Sequence, residues 1–332
     1  MTARVELVNP LPLALHHYQD ELRDVLEAAG VDVTVAATTS AERQQTGRPA
    51  AEVLRHCLRD RLVAAGPPPG VHRLVLWPVL GYPELLMWRG PSRNTSIVFH
   101  DPAPLRRQVG LSRGAARSTR AAGALGRTRG LVVHSPTALA EVHERGYDAD
   151  LLPHPVLAPV ARPATEPSRQ VLVLGQHKEA RDLELLPRLA PLLRARGLTP
   201  RIVGRGWPEV PGWEVDPRFV DEEEFVALIR DSALVLLPYT RVFQSGVAVQ
   251  AAEHAVPVVG GAATNVAEMY GVDWPGLVPD HGRSGATADD WVVAVERVLG
   301  LTPAHVLPSV SDYRERAVRA WGDWAGRLRP GG

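Results

Sequence analysis

Lysine is almost missing from this sequence. Of its 37 Lys and Arg residues only Lys178 is lysine, and the other 36 are arginine. Cysteine is as scarce, with Cys57 alone, which excludes an intrachain disulfide and a multi-cysteine zinc site and suits a reducing compartment. There is no excess of charge: 37 basic residues meet 37 acidic ones. A nucleic-acid binder driven by bulk electrostatics is thereby excluded. No apolar run reaches the roughly 18–20 residues that cross a bilayer. The opening stretch MTARVELVNPLPLAL has neither a long apolar core nor a small-residue cleavage site, so no secretory signal is expected and a cytoplasmic location is.

What the chain does have is alternation. Short apolar runs such as 5–8, 74–77, 96–99 and 131–133 are separated by segments with helical periodicity. The spacing predicts helices over 15–29, 50–65, 82–88, 115–125 and 137–145. A proline-rich stretch, 153–167, then reads as a linker. The alternation restarts with strands at 171–174, 201–203, 234–237 and 256–259. Helices are predicted at 183–196, 222–230, 248–254, 289–299 and, last, 311–328. The length and the restart predict two doubly wound α/β domains with parallel sheets, facing an interdomain cleft. Their expected bounds are 1–157 and 158–308, with 309–332 a final helix crossing back to the first domain. Ligands of such folds sit beyond the carboxyl ends of the strands.

Four stretches offer chemistry there. In segment 171–186 (VLVLGQHKEARDLELL) a buried strand runs into Gly175, then a polar loop with Lys178 and Arg181. Two cations at the mouth of a cleft suit a diphosphate leaving group; the alternative is a solvated loop with incidental charges. In segment 234–259 (LVLLPYTRVFQSGVAVQAAEHAVPVV) a strand meets Tyr239, and Gln244-Ser245-Gly246 opens a helix carrying Val247 and Gln250. Ser245 is a good helix cap, and Gly246 lets a ligand approach the free N–H groups. His100 and Asp101 end a buried strand of the first half. The small-residue loop 260–268 ends in Glu268. Asp148 and Asp150 precede a strand, so no metal role is expected of them. His16 and His17 open a helix without spaced acidic partners. The run Asp221–Glu224 is expected to cap a helix.

Together these stretches resemble the GT-B glycosyltransferases, specifically the retaining, family-4-like group. The likeness is strongest from about 170 to 270. Lys178 and Arg181 fall at the two basic positions of that group's diphosphate-binding loop, while Gln176 replaces an Arg and Asp182 a Gly. Gln244-Ser245-Gly246 matches a subgroup that carries this tripeptide before a helix. Val242 and Gln250 stand where the familiar version has two Glu, and Ala255 replaces a Gly. His100-Asp101 resembles the histidine near the donor sugar.

The resemblance implies a metal-independent hexosyltransferase, without cofactor, that moves a sugar from a nucleotide diphosphate to an acceptor hydroxyl with retention. Polysaccharide biosynthesis is one such setting. His100, Lys178 and Arg181 would be catalytic. Asp101, Gln176, Phe219, Val220, Tyr239, Gln244, Ser245, Gly246, Val247 and Gln250 would bind substrate. The acceptor, whether carbohydrate, lipid-linked or a small molecule, carries no signature. The arginines at 106, 107, 113, 117 and 120 are a candidate contact for a lipid-linked acceptor or an anionic membrane surface, the alternative being a solvated face. Two rival readings remain open: a non-catalytic scaffold that has lost its donor site, motivated by the missing Glu and Arg, and a nucleotide-sugar epimerase or phosphorylase.

Overall fold

A computed structural model describes residues 2–38, 40–41, 50–62, 66–88, 94–103, 109–123, 129–160, 168–262, 264–279 and 285–328. The chain divides into two compact units, residues 1–157 with 316–332, and residues 158–315. Each is built on one six-stranded, wholly parallel sheet.

In the first unit the strands are β1 (Arg4–Val8), β2 (Asp32–Val35), β3 (His72–Val75), β4 (Thr95–Val98), β5 (Gly130–Val133) and β6 (Asp150–Leu151). They lie in the order β2-β1-β3-β4-β5-β6. The helices are α1 (His16–Ala28), α2 (Ala50–Leu62), α3 (Glu84–Met87), α4 (Arg113–Gly123) and α5 (Pro136–Glu144). β3 and β4 are buried along their whole length, as central strands of a parallel sheet with both faces covered must be. Leu22, Val25 and Leu26 recur one helical turn apart on α1 and are fully buried against Leu7, Leu74 and Val98 of the sheet.

The second unit carries β7 (Gln170–Leu174), β8 (Thr199–Val203), β9 (Glu214–Asp216), β10 (Leu234–Leu237), β11 (Val258–Gly261) and β12 (Leu277–Val278). Their order is β12-β11-β10-β7-β8-β9. Its helices are α6 (Leu185–Arg194), α7 (Glu222–Arg230), α8 (Gly246–Glu253), α9 (Asn265–Tyr270) and α10 (Ala288–Val298). The acidic run caps as expected: Asp221 Oδ1 accepts from the Glu224 N–H at 2.9 Å.

The last helix, α11, differs from the sequence expectation. It spans Pro303–Arg327 and begins eight residues before Ser311, continuing through Pro308. Pro303 has the fixed φ that suits a first helical position. Its residues from 316 on belong to the first unit, where Trp321 and Trp324 enter the core with α1. The Trp321 indole donates to Pro153 O at 3.0 Å, and Trp324 meets His72 edge-on. The predicted helix at 82–88 shrinks to four residues, because Pro83 starts it and Trp88 is already extended.

One backbone contact sets the geometry of the second sheet's carboxyl edge. Gly175 follows β7 with φ +96°, and Gly204 follows β8 with φ +147°. A Cβ on Gly204 would lie 2.2 Å from the Gly175 carbonyl oxygen, so only glycine fits. Gly204→Ala is expected to cost roughly 2–4 kcal/mol through overpacking and backbone strain. Gly246→Ala meets no heavy atom within 4 Å and should leave stability unchanged. Urea unfolding of both variants checks this; equal midpoints would refute the close approach.

Candidate functional site

In the second sheet the chain runs from β7 to β8 on one side and returns to β10 on the other. The switch in direction between β7 and β10 leaves a crevice at their carboxyl ends. Two loops meet there. Asp182 N–H donates to Pro238 O at 2.7 Å, Thr240 N–H to Ala180 O at 2.9 Å, and Arg181 and Tyr239 form an antiparallel bridge. The loop after β7 is also tied to the one after β8. His177 N–H donates to Arg205 O at 3.0 Å, and the Trp207 indole to Gly175 O at 2.8 Å. The sequence stretches around Lys178 and Tyr239, read as separate candidates, are one construction.

Arg181 lies inside it. The sequence allowed a solvated loop cation; the side chain is instead 4% exposed. Its Nη2 donates to Leu174 O at 2.7 Å. The guanidinium carbon lies 4.1 Å from the Tyr239 ring centre and 5.5 Å from that of Trp207. Nε and Nη1 are buried with no hydrogen-bond partner, and no carboxylate pairs with the group among the described residues. Burial lowers its pKa, against a smaller raising effect from Tyr239. The aromatic faces offset part of the charge, but a buried cation with open donors still lacks an acceptor. Trp207, which stands between glycine and proline, reads in the sequence as a residue that seals a loop and not as a site candidate. Lys178 is half-buried and makes no ion pair among the described residues, and Gln176 is exposed.

The start of α8 adjoins the same point. Ser245 is its cap, Oγ accepting from Ala248 N–H at 3.4 Å, and Gly246 is exposed. A Cβ built on Gly175 would sit 3.6 Å from both Arg181 Nη2 and Val247 Cγ2. Gly175, Arg181 and the first turn of α8 are therefore neighbours, and a helix N-terminus supplies free N–H groups beside the guanidinium. On α8 the Gln250 Oε1 is buried without a partner, while Gln244 is half-buried. Phe219 and Val220 come after β9, a strand that lies two spacings, about 10 Å, from β7. Phe219 is 63% exposed, beside an Arg218 that donates to Asp216 at 2.9 Å and to Glu224. Val242 lines an adjoining cavity of about 410 Å³ with Asp182, Tyr239, Arg241 and Trp291. Glu268 is half-buried on α9, and burial pushes its carboxyl up to about 7.

His100 and Asp101 belong to the first unit, where the histidine is one of a set that the sequence did not reveal. His100, His134 and His154 follow β4, β5 and β6, each just beyond the carboxyl end of its strand. His100 Nε2 donates to Leu76 O (3.0 Å), His134 Nδ1 to Leu152 O (2.9 Å) and His154 Nδ1 to Pro155 O (2.7 Å). These carbonyls fix the tautomers. The Tyr18 hydroxyl then donates to His134 Nε2 at 2.8 Å, and its ring meets His100 edge-on at 4.5 Å, with Trp77 stacked on His100 at 5.4 Å. The histidines at the start of α1 do have acidic partners, contrary to the sequence reading. His16 lies 3.2 Å from Asp20 and His17 3.1 Å from Glu21, each one turn on.

Burial, joined by the neighbouring histidines, pulls His134 and His154 down to about 3. The depressed values fix the sign. The folded state refuses these protons, so stability is full above the ordinary histidine pKa and falls as pH drops from about 6.5 toward 3. Each histidine is expected to cost about 1.4 kcal/mol between pH 7.5 and 5.5. Urea unfolding at the two pH values measures the loss, and His134→Gln should remove part of it. An unchanged midpoint would refute the buried neutral cluster.

No protein-family model matches the sequence, and no curated protein matches it. Solved structures do. An α,α-trehalose-phosphate synthase (UDP-forming) from Burkholderia vietnamiensis superposes with a TM-score of 0.61 at 13% identity, covering 99% of this chain and 98% of that one. The trehalose-6-phosphate synthase OtsA gives 0.59 at 10% identity, covering 98% and 99%. TarM gives 0.57 at 12% identity over 78% of this chain, which spans about half of TarM's length (54%). These neighbours are glycosyltransferases, and two six-stranded parallel sheets in two Rossmann-like units match their architecture. The chain has the GT-B fold.

Proposed function

We propose that the protein is a retaining glycosyltransferase that transfers a sugar from a nucleotide diphosphate to an acceptor hydroxyl. The observation that carries the reading is the buried Arg181, without a counter-ion among the described residues and with Nε and Nη1 open, at the switch point of the second sheet. A diphosphate there would accept from the guanidinium and from the N–H groups at the start of α8, and Lys178 would add a second positive charge. As the glycosidic bond breaks, negative charge grows on the diphosphate. Donors already fixed in place stabilise that charge without reorganising. Gln250, whose Oε1 lacks a partner, is suited to a ribose hydroxyl. The exposed Phe219 and the Val220 backbone follow a strand about two spacings away, the reach of a nucleoside diphosphate. Gln176, on the loop after β7, would lie near the substrate, and the resemblance gives His100 and Asp101 a part in orienting the sugar. A departing phosphate oxygen would take the acceptor proton from the same face. No enzymic nucleophile and no metal enter this mechanism.

The Burkholderia vietnamiensis synthase is UDP-forming and a mutant of S. aureus TarM is complexed with UDP, so uridine diphosphate is the first nucleotide to test. The hexosyl class of the donor, a cytoplasmic setting and a role in polysaccharide assembly belong to the same proposal. A scaffold without donor binding is the second reading, favoured by Val242 turning to the 410 Å³ cavity where the resembling group has a Glu.

Calorimetric titration with uridine and guanosine diphosphates separates the two. Wild type is expected to bind one of them. Arg181→Met should lose at least about tenfold in affinity, since a charged hydrogen bond is worth about 1.5–3 kcal/mol. The same variant should melt at a higher temperature than wild type without ligand, because a buried unpaired charge has gone. Lys178→Ala should weaken binding with little change in melting. Binding of neither nucleotide by wild type would favour the scaffold.

A further inference from the structure

The first unit carries a second concentration of cations, at the opposite end of its sheet. Between Asp101 and Glu141 the sequence has seven arginines and no acidic residue, in a chain whose charges balance overall. Arg106, Arg107 and Arg127 lie outside the described residues. The others converge. Arg113, Arg117 and Arg120 stand at i, i+4 and i+7 on α4, which places them along one face. Arg129 lies just before β5, and Tyr147 and Asp148 just before β6, so the place is the amino edge of the sheet. His100, His134 and His154 are at the carboxyl edge.

Two adjoining cavities of about 610 and 470 Å³ share Arg117, Arg120 and Gly146 as walls. Arg129 completes the larger, whose only acid among the described residues is Asp148. Gly146 has φ +80°, and a Cβ there would fall 2.2 Å from Arg120 Nη1. The guanidinium thus packs against the turn, in space that a side chain would take. Arg113 pairs with Glu144 at 3.1 Å and Arg145 with Glu141, but Arg117 and Arg120 have no carboxylate partner among the described residues. Arg129 is 8% exposed, and burial lowers its pKa. The shape is concave and of a size that takes a small ligand. No large apolar side chain of α4 is exposed to anchor the surface in a bilayer.

We propose that this groove binds a phosphate or diphosphate group, at a site separate from the crevice of the second unit. Guanidinium forks match phosphate oxygens in pairs, and three forks around one hollow define a place for an anion rather than a diffuse basic face. The proposal does not rest on the transferase reading. It would hold for a non-catalytic protein too.

The test is hydrogen–deuterium exchange with inorganic pyrophosphate at physiological salt, which reads each segment separately. Wild type and Lys178→Ala are both expected to show slowed exchange over 113–123 and 143–148. In Arg117→Ser/Arg120→Ser the half-saturating pyrophosphate concentration should rise at least about tenfold, with melting unchanged. Asp148→Asn should tighten binding, which keeps the test decisive if the double variant folds poorly. No slowing in wild type, or equal slowing in the double variant, would overturn the proposal. Slowing produced only by vesicles containing phosphatidic acid, and not by pyrophosphate, would overturn it as well and assign the surface to a membrane.

Discussion

A guanidinium held out of water, with no carboxylate beside it among the described residues, is a costly arrangement, and the carboxyl end of the second sheet is built around it. Arg181 is kept in place by a carbonyl at the end of β7 and by the faces of Tyr239 and Trp207. Those rings come from the loops after β10 and β8, so three strand ends are committed to one side chain. An aromatic cage softens the desolvation of a cation but does not satisfy its N–H groups. Nothing in the fold requires a charge at this point, and a methionine would fill it at lower cost. The cost is understandable if an anion is the missing member of the arrangement.

The glycines next to this charge act on the same few atoms. Gly204 lets β8 pass within contact of the Gly175 carbonyl, which also accepts from the Trp207 indole. Gly175 in turn leaves space between Arg181 and the first turn of α8. The local backbone is therefore specified by what must approach it closely, and the specification is made in the loops rather than in the strands.

This division explains what could be read from the sequence. Central strands of a parallel sheet are buried on both faces, so 171–174 and 234–237 announce themselves as unbroken apolar runs. Ser245 declares a helix start because capping is a local hydrogen bond. Lys178, Arg181 and Gln250 could be named as candidates because their motifs are contiguous. Arg181's burial was not legible, because the rings that cover it come from two distant loops. The histidines after β4, β5 and β6 are separated by whole helix–strand units, and only the sheet order makes them neighbours. The start of α11 was misplaced because Pro308 looks like a stop when read alone, and the helix carries it. The partners of His16 and His17 were overlooked although they stand one turn away on the same helix.

The first unit sets two kinds of nitrogen chemistry at the two ends of one sheet. Its carboxyl edge gathers imidazoles that burial keeps neutral, and its amino edge gathers guanidiniums that stay charged. The same unit also holds the chain's one thiol. Cys57 is 1% exposed on α2, its pKa is raised by burial, and its carbonyl accepts from Arg61 Nη1, which is locked to the buried Glu84. A thiol reagent must therefore wait for that helix to open, and no second cysteine elsewhere can blur the reading. The protein carries a built-in clock that times the opening of one half of the molecule and is silent about the other.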